Sequence, residues 1–208
     1  SFDDFLLDIG ADSKKHAEEM GIRIGQQIVF ENICRETKDK KKIISKAWDD
    51  RFGSGMALDI MTSVNKDEIP CRLYCGANVQ EEVGLRGAQT SSFMVKPDFF
   101  IAVDCSPCAD TFEDSDTGGK LGGGFMIRFY DPRCIMHRGV RMFVEETAKE
   151  NNIRYQYYKS LGGTDAAAVQ LSRDGVLACT IGMPARYIHS TTSMIHKDDY
   201  EAVKQVIL

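Results

Sequence analysis

Two apolar runs, residues 99–103 and 176–181, restrict the fold more than any other feature of this chain. A strand that is apolar at nearly every position must be covered on both faces, and an open sheet with helices on either side does this. The segments around the runs meet that demand. Met56, Ala57, Ile60, Met61 and Val64 recur with helical spacing over 53–64. Further helices are expected at 87–94, at 137–151 with Val140, Phe143, Val144, Thr147 and Ala148 facing inward, and at 165–171. A last helix, started by Asp198, should run to 207, and strands are expected at 72–76, 125–129 and 153–158. The alternation predicts a layered α/β domain with a mixed, mostly parallel sheet, whose ligands gather near the strand ends.

The pattern differs before residue 43. Residues 6–9 read as a strand, and Asp12 or Ser13 can cap a short helix that Gly21 ends. Ile22, Ile24, Ile28 and Phe30 alternate around Gly25 as two short strands, and 35–42 reads as a loop or exposed strand. The predicted organisation is therefore the tail of a small β domain over 1–42, followed by the main domain over 43–208.

Composition excludes several functions. The 208 residues carry a net charge of -5, and the one lysine cluster, Lys38, Lys40, Lys41 and Lys42, is broken by Asp39. No basic surface for nucleic acid is expected. No apolar stretch is long enough to span a bilayer. Seven cysteines, an odd number with several inside apolar runs, predict reduced thiols in a cytoplasmic protein. Cys105 and Cys108 have the spacing of a redox or zinc pair, but no second pair accompanies them and a proline precedes Cys108.

The chemistry centres on Glu81 and Glu82, set between the run at 73–77 and Gly84. Adjacent carboxylates at the mouth of a buried segment repel each other and ask for a cation. Asp49, Glu82, Asp104 and His189 supply carboxylate oxygen and imidazole nitrogen from four separate places, as zinc-like ions prefer. Glu81, beside a ligand yet free to point elsewhere, is the candidate base for a metal-activated water. Each residue also has a plainer role: Asp49 as a helix cap, Asp104 as a turn residue, His189 as a polar loop residue.

Five stretches carry a resemblance: KAWDDRFG at 46–53, QEEVG at 80–84, AVDCSP at 102–107, GGTDA at 162–166 and RYIHS at 186–190. Together they resemble the M42 family of metallo-aminopeptidases, and IRFYDP at 127–132 with YQYY at 155–158 resembles its glutamyl aminopeptidase type. The resemblance covers essentially the whole chain. It implies a zinc-peptidase-like α/β/α fold and a cytosolic enzyme that uses two divalent ions, zinc or cobalt. The implied reaction is removal of N-terminal residues, glutamate or aspartate in the glutamyl type, from short peptides, and the implied assembly is from dimers to dodecamers. By the same resemblance Asp49 bridges the two ions, Glu82 and His189 complete one site, Asp104 belongs to the other and Glu81 is the base.

The family's second ion also takes a histidine from an upstream His-x-Asp motif, ahead of the small domain. That histidine is outside these 208 residues, so the expectation is the C-terminal part of a longer protein, with a naturally shortened relative as the other reading. Such a chain is expected to hold one ion well and to be weakly active alone. Arg128, Arg133 and Arg186 are candidates for recognising an acidic first residue, and sequence does not choose among them. Two other functions fit the same residues: a catalytically impaired assembly subunit, and a related metal-dependent amidase or glycan hydrolase.

Overall fold

A computed structural model of the chain describes residues 4–31, 34–111 and 118–208. The chain divides into two compact units, the first ending at Glu31. In chain order the elements are α1 (Lys14–Glu19), β1 (Arg35–Glu36), β2 (Lys42–Ser45), α2 (Trp48–Ser63), α3 (Arg86–Val95) and β3 (Phe99–Pro107). They continue with β4 (Phe125–Tyr130), α4 (Arg138–Glu150), β5 (Tyr155–Lys159), α5 (Asp165–Val169), β6 (Leu177–Ala185), β7 (Ser193–His196) and α6 (Lys197–Ile207).

In the first unit Ser13 caps α1 by accepting the His16 amide at 3.1 Å, and Gly21 at φ +90° turns the chain beyond it. The strands expected at 6–9 and around Gly25 do not form among the described residues. Leu6 and Ile24 are almost wholly exposed, so alternation there has no packed face to support a ladder.

The second unit contains two sheets. The smaller is antiparallel with the order β1-β2-β7. The larger has the order β3-β6-β4-β5. Its β3 pairs in parallel with β6 from Phe99↔Leu177 to Pro107↔Ala185, and β5 pairs in parallel with β4. Between them β4 runs antiparallel to β6, with Ile127 opposite Ile181. The sheet is thus mixed and largely parallel, as the apolar runs demand.

Helices cover both faces. On one side α2 buries Phe52, Met56 and Ile60, and α4 buries Val140, Val144 and Ala148. They join Ala202 and Val203 of α6, Phe125, Ile127, Ile181 and Met183 in the main core. Spacing of four residues keeps each set on one helical stripe. On the other side Ala166 and Ala167 of α5 pack with Leu85, Ala102 and Ala178, while Ala88 of α3 meets Val169 and Val176.

Several expectations need correction. Residues 72–76 keep a strand's alternation, with Leu73 and Cys75 half-buried, but find no ladder partner among the described residues. Phe143 is 66% exposed, because it projects from the flank of α4 beside the buried stripe. His196, not Asp198, caps α6: its Nδ1 accepts the Asp198 amide at 3.1 Å. The apolar run at 99–103 continues as strand to Pro107, so Asp104 is a strand residue and not one beyond the strand's end.

Gly53 sets how closely α2 approaches the sheet. A Cβ there would overlap the Val103 carbonyl oxygen and Asp50 Oδ2. Gly53→Ala is expected to lower stability by about 1–3 kcal/mol through forced displacement of α2. Urea unfolding of the two proteins measures it, and an unchanged midpoint would contradict the close packing.

Asp199, fully buried in the first turn of α6, holds the glycine loop before β4. Its two oxygens accept the Gly122 and Gly124 amides at 2.7 and 2.8 Å. Burial pushes its carboxyl from 3.8 up to about 6 despite those donors. Over that interval the folded state keeps a proton that the unfolded chain has lost. The contribution of this group to stability therefore falls as pH rises from 3.8 to about 6 and is constant above. Asp199→Asn should carry a pH-independent loss for the missing acceptor but flatten that decline, as seen by denaturation across the interval.

Candidate metal centre

The site begins at the kinked start of α2. Ala47 has φ +57°, and Asp49 and Asp50 depart from helical backbone angles. Asp50 Oδ1 accepts the Gly53 amide at 2.9 Å, so Asp50 performs the capping that the sequence offered to Asp49. The Asp49 carboxylate, released from that duty, meets His189 Nε2 at 2.6 Å.

His189 stands on the turn joining β6 to β7. Arg186 and Met194 exchange backbone hydrogen bonds at 2.9 and 3.0 Å across the base of that turn, and the Ser190 amide donates to the Tyr187 carbonyl at 3.1 Å. The turn needs positive φ at Tyr187 (53°) and His189 (61°), a region that histidine enters more readily than most residues. Arg186 locks it from outside with a two-pronged grip on Asp110, Nε to Oδ1 at 2.6 Å and Nη2 to Oδ2 at 2.8 Å.

Glu81 and Glu82 lie in a tight turn ahead of α3, where the Gly84 and Leu85 amides both donate to the Glu81 carbonyl at 3.0 and 2.9 Å. Gly87 lets α3 press on this turn; a Cβ there would lie 2.5 Å from the Val79 nitrogen. Glu82 Oε2 comes within 3.7 Å of His189 Nε2.

Two donor clusters result. Asp49, Glu82 and His189 form one, and Asp49, Asp50 and Asp104 the other; within each, the donor atoms lie within 4.8 Å of one another. All four sequence-proposed ligands are thereby brought to one place, and Asp49 belongs to both clusters. Asp50 is the residue that sequence reasoning missed. The Asp-x-x-Gly spacing from Asp50 to Gly53 was the available signal that it, and not Asp49, faces the helix.

The carboxyls are crowded enough to hold protons. Burial, then the charges of Asp165, Glu82 and Asp49, push Glu81 up to about 7, with Arg128 opposing. Burial also takes Asp50 to about 7, with Asp49, Glu81 and Asp165 adding to the effect. Asp104 is raised well above the carboxylate range by burial and then by Asp50, Asp49 and Glu81. Glu82 moves up by burial and Asp49, while His189 opposes. Asp165, held by Asn78 Nδ2 at 2.8 Å, is raised by burial as well. Mutually repelling oxygens plus one imidazole nitrogen suit divalent cations. Cys105 and Cys108 stay apart from this chemistry: burial pushes both thiols up, Cys108 to about 12, which suppresses the reactive thiolate.

A layered α/β domain with a carboxylate-rich centre is thus the class that fold and site define. The profile of the M42 glutamyl aminopeptidase family matches residues 1–206, and the chain belongs to that family. It is 44% identical over 197 residues to the glutamyl aminopeptidase of Lactococcus lactis subsp. cremoris, covering 95% of this chain and 55% of that enzyme. Its structure resembles a TET aminopeptidase from a marine-sediment Thaumarchaeota archaeon, with a TM-score of 0.89 and 33% identity over 96% of this chain and 57% of the other. The Pyrococcus horikoshii TET1 peptidase, which assembles into a tetrahedron or a large octahedral shell, is similar at a TM-score of 0.79 and 30% identity over 96% of this chain and 58% of that one. The chain therefore spans little more than half the length of these relatives.

The Arg186–Asp110 pair should matter through geometry as well as energy, since Asp110 Oδ2 also accepts the Leu121 amide at 3.1 Å. Asp110→Asn is expected to cost about 1–3 kcal/mol in chemical denaturation, because a part-buried charged partner is lost. A loss below a few tenths would show the pair to be solvent-screened.

Proposed function

We propose that this chain forms the catalytic face of a metal-dependent aminopeptidase that removes glutamate or aspartate from the N-terminus of short peptides. The observation that carries the reading is the position of Asp49, whose carboxylate lies within ligand distance of donors in both clusters. Membership of the M42 family supports it, and the similarity to a glutamyl aminopeptidase supports the acidic preference. We assign Glu82 and His189 to one ion and Asp104 to the other, with Asp49 shared and Asp50 close enough to join the second. The family resemblance implies a further histidine for that second ion.

Two divalent ions held there, zinc or cobalt, would supply Lewis-acid polarisation of the scissile carbonyl and lower the pKa of water toward neutrality. Glu81 accepts the proton of the attacking water and delivers it to the departing amine. A pKa of about 7 before any cation is bound shows how strongly its surroundings retain a proton. The Gly162 and Gly163 backbone, just ahead of α5, supports the peptide, and the Asn78–Asp165 hydrogen bond fixes the wall beside Glu81. No helix among the described residues is long and apolar enough to cross a membrane. We place the enzyme in the cytoplasm. We also propose homo-oligomeric assembly, dimer to dodecamer, with residues 1–42 belonging to the small assembly domain.

Glu81→Gln should lower hydrolysis of glutamyl peptides by at least about 100-fold in the metal-loaded protein, the contribution expected of a general base. Metal content, measured by elemental analysis, should stay at the wild-type level. Retained turnover would remove Glu81 from the proton path; lost metal would make it a ligand instead.

A further inference from the structure

We propose that Asp165 is a positioning residue for the hydrolysis: through Asn78 it fixes where the turn that carries Glu81 and Glu82 stands against the sheet. The assignment rests on the aminopeptidase reading above and gives that reaction a residue that acts through others, without touching the peptide.

The turn is closed on itself. The Gly84 and Leu85 amides donate to the Glu81 carbonyl, the Gly87 amide donates to the Val79 carbonyl at 2.9 Å, and Arg86 Nη1 donates to Gln80 Oε1 at 3.0 Å. These bonds give the turn its shape but not its place. Leu85 packs in one cluster with Ala166 and Ala167 of α5, a contact that holds the two segments together yet has no direction of its own. Glu82 approaches His189 only to 3.7 Å, too far for a hydrogen bond. Among the described residues one side-chain hydrogen bond leaves the stretch 72–87. Asn78 Nδ2 donates to Asp165 Oδ2 at 2.8 Å, across 87 positions of sequence.

The other end of that bond is anchored to the sheet. Thr164, fully buried just ahead of α5, shares a hydrogen bond of 2.8 Å with Thr180 of β6. Thr180 pairs with Ala102 of β3, and two residues further on Gly182 pairs with Asp104. Paired residues share a face and alternate residues of a strand return to it, so the anchor lies on the face that presents Asp104. A continuous path therefore runs from β6 through Thr180, Thr164 and Asp165 to Asn78 and the acid turn. It sets the separation between Glu81 and Glu82 on one side and Asp104 on the other.

An acid at 165 does what an amide there would not. A carboxylate only accepts, so Asn78 has one way to meet it, with Nδ2 forward; an amide could flip and offer either end. This single arrangement comes with a cost, since Asp165 Oδ1 is buried without a donor. The carboxylate also stands close to the reacting groups. After burial, its charge is the largest influence on Glu81, and it reaches Asp50 as well.

The test uses the full-length enzyme with cobalt in excess and the p-nitroanilides of glutamate and leucine, well below the unfolding midpoint of every variant so that folded fractions are equal. Asn78→Ala should lower kcat at least about tenfold with KM within about threefold, because small displacements of reacting groups act on the chemical step. A residue that touched the peptide would raise KM instead. Asn78→Ser, too short to reach Oδ2, should behave alike and decides the matter if the alanine variant does not fold. Asn78→Asp sets two carboxylates against each other and should lower kcat further. Adding Asp165→Asn to it restores the bond with donor and acceptor exchanged and should recover most of that loss. A kcat within about twofold of wild type in the alanine or serine variant, a loss confined to KM, or a double variant no better than Asn78→Asp overturns the assignment. A wild type that cleaves neither substrate overturns the aminopeptidase reading instead.

Discussion

The contact between His189 and Asp49 is the interaction on which the candidate centre depends. It joins the turn after β6 to the start of α2 across 140 positions of sequence. Neither side chain is placed by its own segment alone. Asp49 is free because Asp50 has taken over the cap, and His189 faces Asp49 because its turn is pinned by Arg186 and bridged to Met194. Undoing the turn would leave Glu82 with no imidazole partner, and undoing the cap would take from the two donor clusters the member they share.

The sheet explains why four distant segments can meet. β3 and β6 run in parallel for nine residues, so the C-terminal half of β3 and the turn beyond β6 arrive at the same edge. Gly53 brings α2 against Val103, one residue before Asp104, and Gly87 brings α3 against the turn that carries Glu81 and Glu82. Close backbone approach at two glycines thus converts a layered fold into a cluster of acids. The Asp199–glycine loop contact does the same structural work further along, holding the entry to β4 and therefore the strand that carries Arg128.

Much of this was legible from residue order. Apolar runs at 99–103 and 176–181 announced strands covered on both sides, and the stripe Val140, Val144 and Ala148 announced α4. Glu81, Glu82, Asp49, Asp104 and His189 stood out because an unexplained acid pair asks for a cation. The failures have physical causes. Alternation at residues 72–76 describes a segment with one side inward, but a strand also needs a neighbour with free backbone groups, which periodicity does not report. Phe143 shows that apolar character alone does not place a side chain inside when the buried stripe is narrow. Asp50 escaped because two successive aspartates at a helix start look interchangeable. The kink, and in the sequence the glycine three residues after Asp50, distinguishes the one that caps from the one that faces His189.

Electrostatics give the arrangement its direction. Raised carboxyls at Glu81, Asp50 and Asp104 mean that, without a positive charge among them, these groups keep protons that isolated carboxylates would release. A divalent cation placed there reverses the local logic: it favours every ionised form at once and expels those protons on binding.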